Sequence, residues 1–186
     1  LVFINGEYWG IHNIRERQDK YYLRSLYGLD KDSVNIISGN MTVSEGSAQS
    51  FIDLIDFVES NEMSDSVNYA HVKNEIEITN YMDYFMIELY FNNRDWPGNN
   101  IKMWKSNTPG SKWRWILYDL DAAFSDYTID PFLSLAENES HQARFFKKLL
   151  ENEEFKKQFF NRFSLHAKTA FDPKTSIGYL NEMILR

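Results

Sequence analysis

The sequence has no cysteine among its 186 residues, which excludes a disulfide-stapled fold, a cysteine nucleophile and a thiolate metal site. No apolar run approaches the roughly 18 residues needed to cross a bilayer, and no segment resembles a signal peptide. Positive charge is also scarce, because 20 Lys and Arg stand against 27 Asp and Glu, a net charge of −7. This balance argues against a general nucleic-acid binder, which needs a basic face, although it leaves room for a local basic patch.

Apolar and aromatic residues are plentiful. They make up 43% and 16% of the chain, a composition typical of a packed globular domain rather than a disordered segment. The length suits one domain, and no repeat, low-complexity tract or linker divides it, so we expect a single domain over residues 1–186. The chain opens on residues that look like the middle of a strand, LVFI, without an initiator Met. We therefore expect a piece of a longer protein, with targeting signals and part of the active site upstream.

Hydrophobic periodicity and turn residues predict an α+β, mostly helical fold. Asn5-Gly6, which tolerates the positive φ angles of a type I′ turn, predicts a β-hairpin over residues 1–17. Residues 101–105 and 112–118 predict a second hairpin, and residues 30–43 are expected to form a loop. Predicted helices cover the remaining segments: 18–27, 47–61, 66–74, 80–92 and, from about residue 140, the rest of the chain with a break at Asp172-Pro173.

The candidate chemistry lies on both sides of the second hairpin. The predicted helix 80–92 is apolar on nearly every side and should be buried. The pattern Arg94-Asp95-x-x-x-x-Asn100 follows it, then the hairpin, then Asp119 and Asp121. Protein kinases place their parts in this order: a loop Asp that accepts the substrate hydroxyl proton, an Asn that binds Mg²⁺, and a second metal-binding Asp after the next hairpin.

The residue types suit phosphoryl transfer, which depends mainly on positioning and on cations that neutralise the phosphate oxygens. Carboxylate and amide oxygens are the hard ligands that Mg²⁺ prefers. We therefore predict Asp95 as the catalytic base or positioning group, and Asn100, Asp119 and Asp121 as metal ligands. The simpler alternatives are that Asp95 caps a turn, that Asn100 satisfies loop backbone groups, and that the two later aspartates are ordinary surface carboxylates.

Four stretches resemble the CotH family of bacterial spore-coat and secreted kinase-like proteins. They are residues 5–11 (NGEYWGI), 92–102 (NNRDWPGNNIK), 112–121 (KWRWILYDLD), and 145–152 (FFKKLLEN) with its continuation to Phe163. The resemblance spans nearly the whole chain. It implies a kinase-like lower lobe over residues 18–186, with residues 1–17 as a remnant of the upper lobe. It also implies an Mg²⁺- and ATP-dependent protein serine kinase, secreted or at the cell surface, that modifies Ser or Thr of surface or coat proteins.

Two departures from the family pattern qualify what the resemblance implies. Members normally carry an Arg-Gly-Asn-Ser-Thr type motif and a following Lys, and this chain starts after them. We therefore expect the isolated chain to be weakly active or inactive, and its nucleotide-binding residues stay unassigned. Members also differ in whether the first or the second acid of Asp119-Leu120-Asp121 is kept. The alternatives are a binding module of the cell surface or coat without chemistry, and a metal-dependent hydrolase using the same acids.

Overall fold

The computed structural model describes residues 2–10, 16–124 and 126–184. In these ranges the chain forms helices and two small antiparallel sheets, which confirms the α+β, mostly helical prediction. The strands are β1 (Val2–Ile4), β2 (Glu7–Gly10), β3 (Val34–Ser38), β4 (Val43–Glu45), β5 (Lys102–Ser106) and β6 (Arg114–Ile116). The helices are α1 (Lys20–Tyr27), α2 (Gln49–Ser60), α3 (Ser66–Glu75), α4 (Ile78–Tyr90), α5 (Pro131–Glu137), α6 (His141–Leu149), α7 (Glu153–Ala167) and α8 (Pro173–Ile184).

The first hairpin forms through the turn that the sequence predicts. Asn5 and Gly6 have φ angles of 52° and 84°, as a type I′ turn requires at both central positions. Strands β1 and β2 pair antiparallel across it. The part of the predicted hairpin that falls on residues 1 and 11–15 lies outside the described residues.

The larger sheet has the strand order β4-β3-β5-β6. The predicted hairpin of β5 and β6 is confirmed, with Met103 opposite Trp115. The prediction of a loop over residues 30–43 is wrong, because β3 is a central strand between β4 and β5. Its partners on β5 are about 70 positions away, with Val34 opposite Ser106, and no local pattern predicts so distant a pairing.

The helices begin and end largely where capping residues predict. Asp19 accepts hydrogen bonds from the first turn of α1, and Gly28 ends that helix in the left-handed conformation, with φ at 67°. Asp65 and Asn152 cap α3 and α7 in the same way. The predicted break before Pro173 is confirmed, whereas the interruption between α6 and α7 and the short helix α5 were not predicted.

Two clusters of apolar side chains cover opposite faces of the larger sheet. The main cluster surrounds α4 and packs aromatic rings against β5 and β6 through Met103 and Trp115. The smaller cluster joins Leu23 of α1 to Trp104 and Ile116 on the other face. Helix α4 is therefore fixed in the core, and the loop that follows it starts from a rigid position. Among the residues described, no helix is long and apolar enough to span a membrane.

Candidate functional site

Helix α4 leads directly into the loop that carries Asp95 and Asn100. Asn92 ends the helix in the left-handed conformation, with φ at 48°. Its side chain donates to the carbonyl oxygens of Asp126 and Ile129, at 2.9 and 3.2 Å, and so ties the start of the loop to the segment before α5. The far end of the loop is fixed by Ile101, which is buried in the main core.

A second segment, residues 118–124, follows β6 and runs beside this loop. Three contacts join the two. The Asn100 side-chain amide lies 3.4 Å from the carbonyl oxygen of Asp119. The backbone N–H of Arg94 lies 3.4 Å from the carbonyl oxygen of Ala122, and residue 124 donates to the carbonyl oxygen of residue 91 at 2.7 Å. These contacts align the backbone of the loop with residues 118–124, so that Arg94, next to Asp95, lies beside Ala122, next to Asp121.

Asn100 and Asp119 share an uncommon backbone conformation. Their φ angles are 57° and 58°, in the left-handed region that few residues other than glycine adopt. Asn and Asp tolerate this region better than other side chains, but it still costs free energy that the surrounding contacts must offset. Such conformations concentrate at functional sites, and here they occur at two facing positions.

Two surface cavities meet at Tyr118. One, of about 510 Å³, is lined by Glu16, Gln18, and residues 117–121. The other, of about 330 Å³, is lined by residues 38–40, Thr42, residues 98–101 and Tyr118. Asp119 and Asp121 therefore face one cavity and Asn100 the other, on either side of a half-buried tyrosine. Burial raises the pKa of the Tyr118 phenol, and the neighbouring Asp119 carboxylate raises it further.

The structure brings three of the four predicted site residues to these cavities. The Asn100 side chain approaches the backbone of Asp119, and Asp121 shares a cavity with Asp119. The Asp95 carboxylate is exposed and lines neither cavity. Its backbone is well fixed, because Asn99 donates to the Asp95 carbonyl oxygen at 2.7 Å and the Asp95 N–H lies 3.3 Å from Asn93 Oδ1.

The donor set is suited to a hard divalent cation that completes its coordination elsewhere. Within the described residues no group of three or more His, Cys, Asp or Glu side chains could hold a metal. The site instead offers two carboxylates, of Asp119 and Asp121, and one amide oxygen, of Asn100. Because Asn100 Nδ2 faces the Asp119 carbonyl, its Oδ1 is left for another partner. Mg²⁺ usually binds proteins through one or two carboxylates plus substrate phosphates and waters. Asp119 and Asp121 are donors of this type in one cavity, and Asn100 offers its oxygen from the neighbouring cavity.

Lys102 is a cation beside the site that sequence reasoning did not single out. Its Nζ donates to the carbonyl oxygen of Gln18 at 3.0 Å and lies 5.2 Å from the centre of the Tyr118 ring. Gln18 and Tyr118 both line the cavity that contains Asp119 and Asp121. Burial lowers the pKa of the Lys102 amine, as does the positive charge of Arg17, while Asp19 opposes them. The position two residues after Asn100 could have drawn attention to it.

Sequence reasoning also did not single out Glu88 as a residue near the site. It is a fully buried carboxyl on α4, with 0% exposure, and Asn93 Nδ2 donates to its Oε2 at 2.9 Å. Burial raises the pKa of Glu88 to about 7, although the Asn93 amide and the Tyr84 hydroxyl oppose the rise. No group in the described ranges makes a well-formed hydrogen bond with Glu88 Oε1. An acid within the most apolar stretch of α4, between Ile87 and Leu89, was the available indication.

Comparison with known protein families gives a match over nearly the whole chain. The model of the CotH kinase protein family matches residues 1–184. The chain belongs to the CotH kinase protein family. The four motifs named from the sequence thus lie inside the matched region, and the resemblance they carried is confirmed. No curated protein and no solved structure matches the chain.

Proposed function

We propose that the protein carrying this chain is an Mg²⁺-dependent protein kinase that transfers the ATP γ-phosphate to Ser or Thr of a partner protein. The observation that supports it best is the alignment of residues 91–100 with residues 118–124 by three contacts. This alignment brings the loop that carries Asp95 and Asn100 beside the segment that carries Asp119 and Asp121. Membership of a kinase-like family supports the same chemistry. Secretion or display at the cell surface, as the family resemblance implies, belongs to the proposal.

Asp95 is proposed to take the proton from the acceptor hydroxyl, or to hold that hydroxyl in line with the phosphorus. Its surroundings argue against a turn-capping role. By contrast, the carboxylates of Asp126 and Asp130 do cap the backbone, since each accepts a hydrogen bond from the N–H two residues further along the chain. The Asp95 carboxylate accepts no such bond within the described parts of the chain, and it is left exposed for a substrate.

The metal-holding role is assigned to Asn100, Asp119 and Asp121. When bound, Mg²⁺ would neutralise the phosphate oxygens between which charge shifts during transfer. Two carboxylates and an amide leave room for the phosphates themselves to complete the coordination. Lys102, beside the same cavity, is positioned to add a positive charge toward the phosphates.

The proposal is tested by phosphate transfer from γ-labelled ATP to a protein acceptor, using the full-length protein. Asp95→Ala is expected to lower kcat about 100-fold or more, the usual scale for removing a positioned acid–base group, with unchanged folding. Asp56→Ala, at an exposed aspartate on α2, is the matched control and should leave kcat unchanged. Activity of Asp95→Ala within a few-fold of wild type would reduce Asp95 to a loop residue. No transfer by the wild-type protein would favour the binding-module alternative.

A further inference from the structure

A polar network lies beneath the loop that carries Asp95, and it starts at Glu88. Asn93, itself only 4% exposed, is its centre. Asn93 Nδ2 donates to Glu88 Oε2 at 2.9 Å, and Asn93 Oδ1 faces the N–H of Asp95 at 3.3 Å. Two main-chain hydrogen bonds also fix Asn93. Its N–H donates to the Glu88 carbonyl oxygen, and its carbonyl oxygen accepts from the Trp96 N–H.

Glu88 is costly to the fold, since a buried carboxyl pays for its lost hydration unless its contacts are good. An apolar side chain at this place in α4 would pack against the same core at lower cost. The side-chain hydrogen bond of Glu88, however, leads out of the core and toward the loop. Beside it lies a cavity of about 130 Å³, with Asn93, Arg94 and Trp96 among its lining residues. Without the Glu88 contact, the Asn93 side chain has space into which it can turn.

We propose that Glu88 is a positioning residue that sets the Asp95 backbone through Asn93. This inference rests on the proposed kinase function for its kinetic readout, but not for its structural one. Glu88 lines neither cavity of the candidate site, and in the described residues it makes no hydrogen bond with the proposed metal ligands Asn100, Asp119 and Asp121. Its removal is therefore expected to misplace Asp95 without removing any group that binds ATP or metal.

The charged form of Glu88 is expected to hold the loop best, because a hydrogen bond to an ionised acceptor is stronger than one to a neutral acceptor. The titratable or charged groups around it are few. Tyr84 lies on its own helix and lowers its pKa, Arg94 lies on the loop across the cavity, and Tyr118 lies near enough to feel its charge. The α5 residues that line the cavity are uncharged. With the pKa of Glu88 raised to about 7, loop order should change near neutral pH.

The kinetic test compares three variants of the full-length protein. Glu88→Ala is expected to lower kcat by about 10- to 100-fold, the scale of a small misplacement of reacting groups, with the KM for ATP within about threefold of wild type. Glu88→Gln, which keeps the acceptor for Asn93, is expected to retain kcat within about threefold. It is also expected to lack the rise in kcat through about pH 7 that we predict for the wild type. Glu153→Ala, at an exposed glutamate on α7, is the control.

Two kinetic outcomes would overturn the inference. One is a Glu88→Ala kcat within about twofold of wild type while Asp95→Ala is inactive, which leaves the kinase function standing. The other, decisive if Glu88→Ala does not fold, is a rise in kcat near pH 7 that survives in Glu88→Gln.

A structural test needs no activity. The amide resonance of Asp95, followed by NMR against pH, is expected to shift with a midpoint near 7 in the wild type and to lose that step in Glu88→Gln. This result would support the inference even if the wild-type protein transferred no phosphate. An Asp95 resonance that does not respond in this range, or that responds equally in Glu88→Gln, would overturn it.

Discussion

Tyr81 and Tyr84 lie one turn apart on α4, both buried, with 0% and 2% exposure, yet their surroundings differ. Tyr81 is enclosed by aromatic rings, including Phe85 at 4.5 Å and Trp115 at 4.6 Å between centroids. Its hydroxyl has no hydrogen-bond partner in the described residues. The Tyr84 hydroxyl lies 3.4 Å from the carbonyl oxygen of Asn100. The face of α4 that carries Tyr81 and Phe85 is thus packed among aromatic rings, and the face that carries Tyr84 and Glu88 is connected to the site.

The difference shows how one helix serves two purposes. The aromatic packing of the first face fixes the axis of α4, and the polar groups of the second face carry that rigidity to the loop. Burial raises the pKa of both tyrosines well above the ordinary value, so both stay neutral, and their hydrogen bonding distinguishes them. Substitutions on the two faces should therefore separate stability from site geometry.

The largest effect is expected on the aromatic face of α4, which carries Tyr81 and Phe85. Phe85 is fully buried and stacks on Phe146 at 4.6 Å, with an edge contact to Trp96 at 4.9 Å. Phe85→Ala is expected to lower the free energy of unfolding by about 3–5 kcal/mol, because it removes a ring and leaves a cavity. Chemical denaturation measures this. Phe160→Ala on α7, where the ring is 45% exposed, is the control and should cost well under half as much.

The second effect is a pH dependence of stability. The pKa of Glu88 is about 7 in the fold against an ordinary 4.5, so the folded protein holds a proton that the unfolded chain releases. The stabilisation is complete below about pH 4.5 and is lost as pH rises through 7. We expect the wild type to lose on the order of 3 kcal/mol relative to Glu88→Gln across this window. Equal pH profiles of unfolding for the two proteins would contradict the prediction.

The smallest effect distinguishes the two tyrosines directly. Tyr84→Phe removes the hydroxyl facing Asn100 and is expected to cost about 1 kcal/mol, the usual net value of one hydrogen bond. Tyr81→Phe removes a hydroxyl that has no partner among the described residues and should be neutral or slightly stabilising. Thermal unfolding of both variants, with amide exchange at Ile101 as a local readout, provides the comparison. A larger loss for Tyr81→Phe would mean that its hydroxyl has a partner after all.

Sequence patterns predicted the parts of this molecule that depend on local chemistry. The Asn5-Gly6 turn, the Gly28 helix end and the buried helix α4 each follow from a few neighbouring residues. Strand β3 was missed because its main partner, β5, is distant in the sequence.

The candidate site likewise has features that local sequence patterns predicted and features that depend on the packed fold. Sequence patterns placed Asn100 before the hairpin of β5 and β6 and Asp119 after it, and the Asn100 side-chain amide lies 3.4 Å from the Asp119 carbonyl oxygen. Glu88 could not be assigned from sequence, because burial and contact with Asn93 are properties of the packed fold. The catalytic role of Asp95 and the metal-binding roles of Asn100, Asp119 and Asp121 stay predictions.

The central claim is that residues 91–100 and 118–124 form one metal and phosphate site. Paramagnetic broadening by Mn²⁺ in the presence of ATP, measured on the amide resonances of the full-length protein, tests it most directly. We predict that substoichiometric Mn²⁺ broadens residues around Asn100 and around Asp119 and Asp121 together, and that Asp119→Asn combined with Asp121→Asn abolishes both effects. Broadening confined to one segment, or centred on acidic residues elsewhere, would contradict the claim.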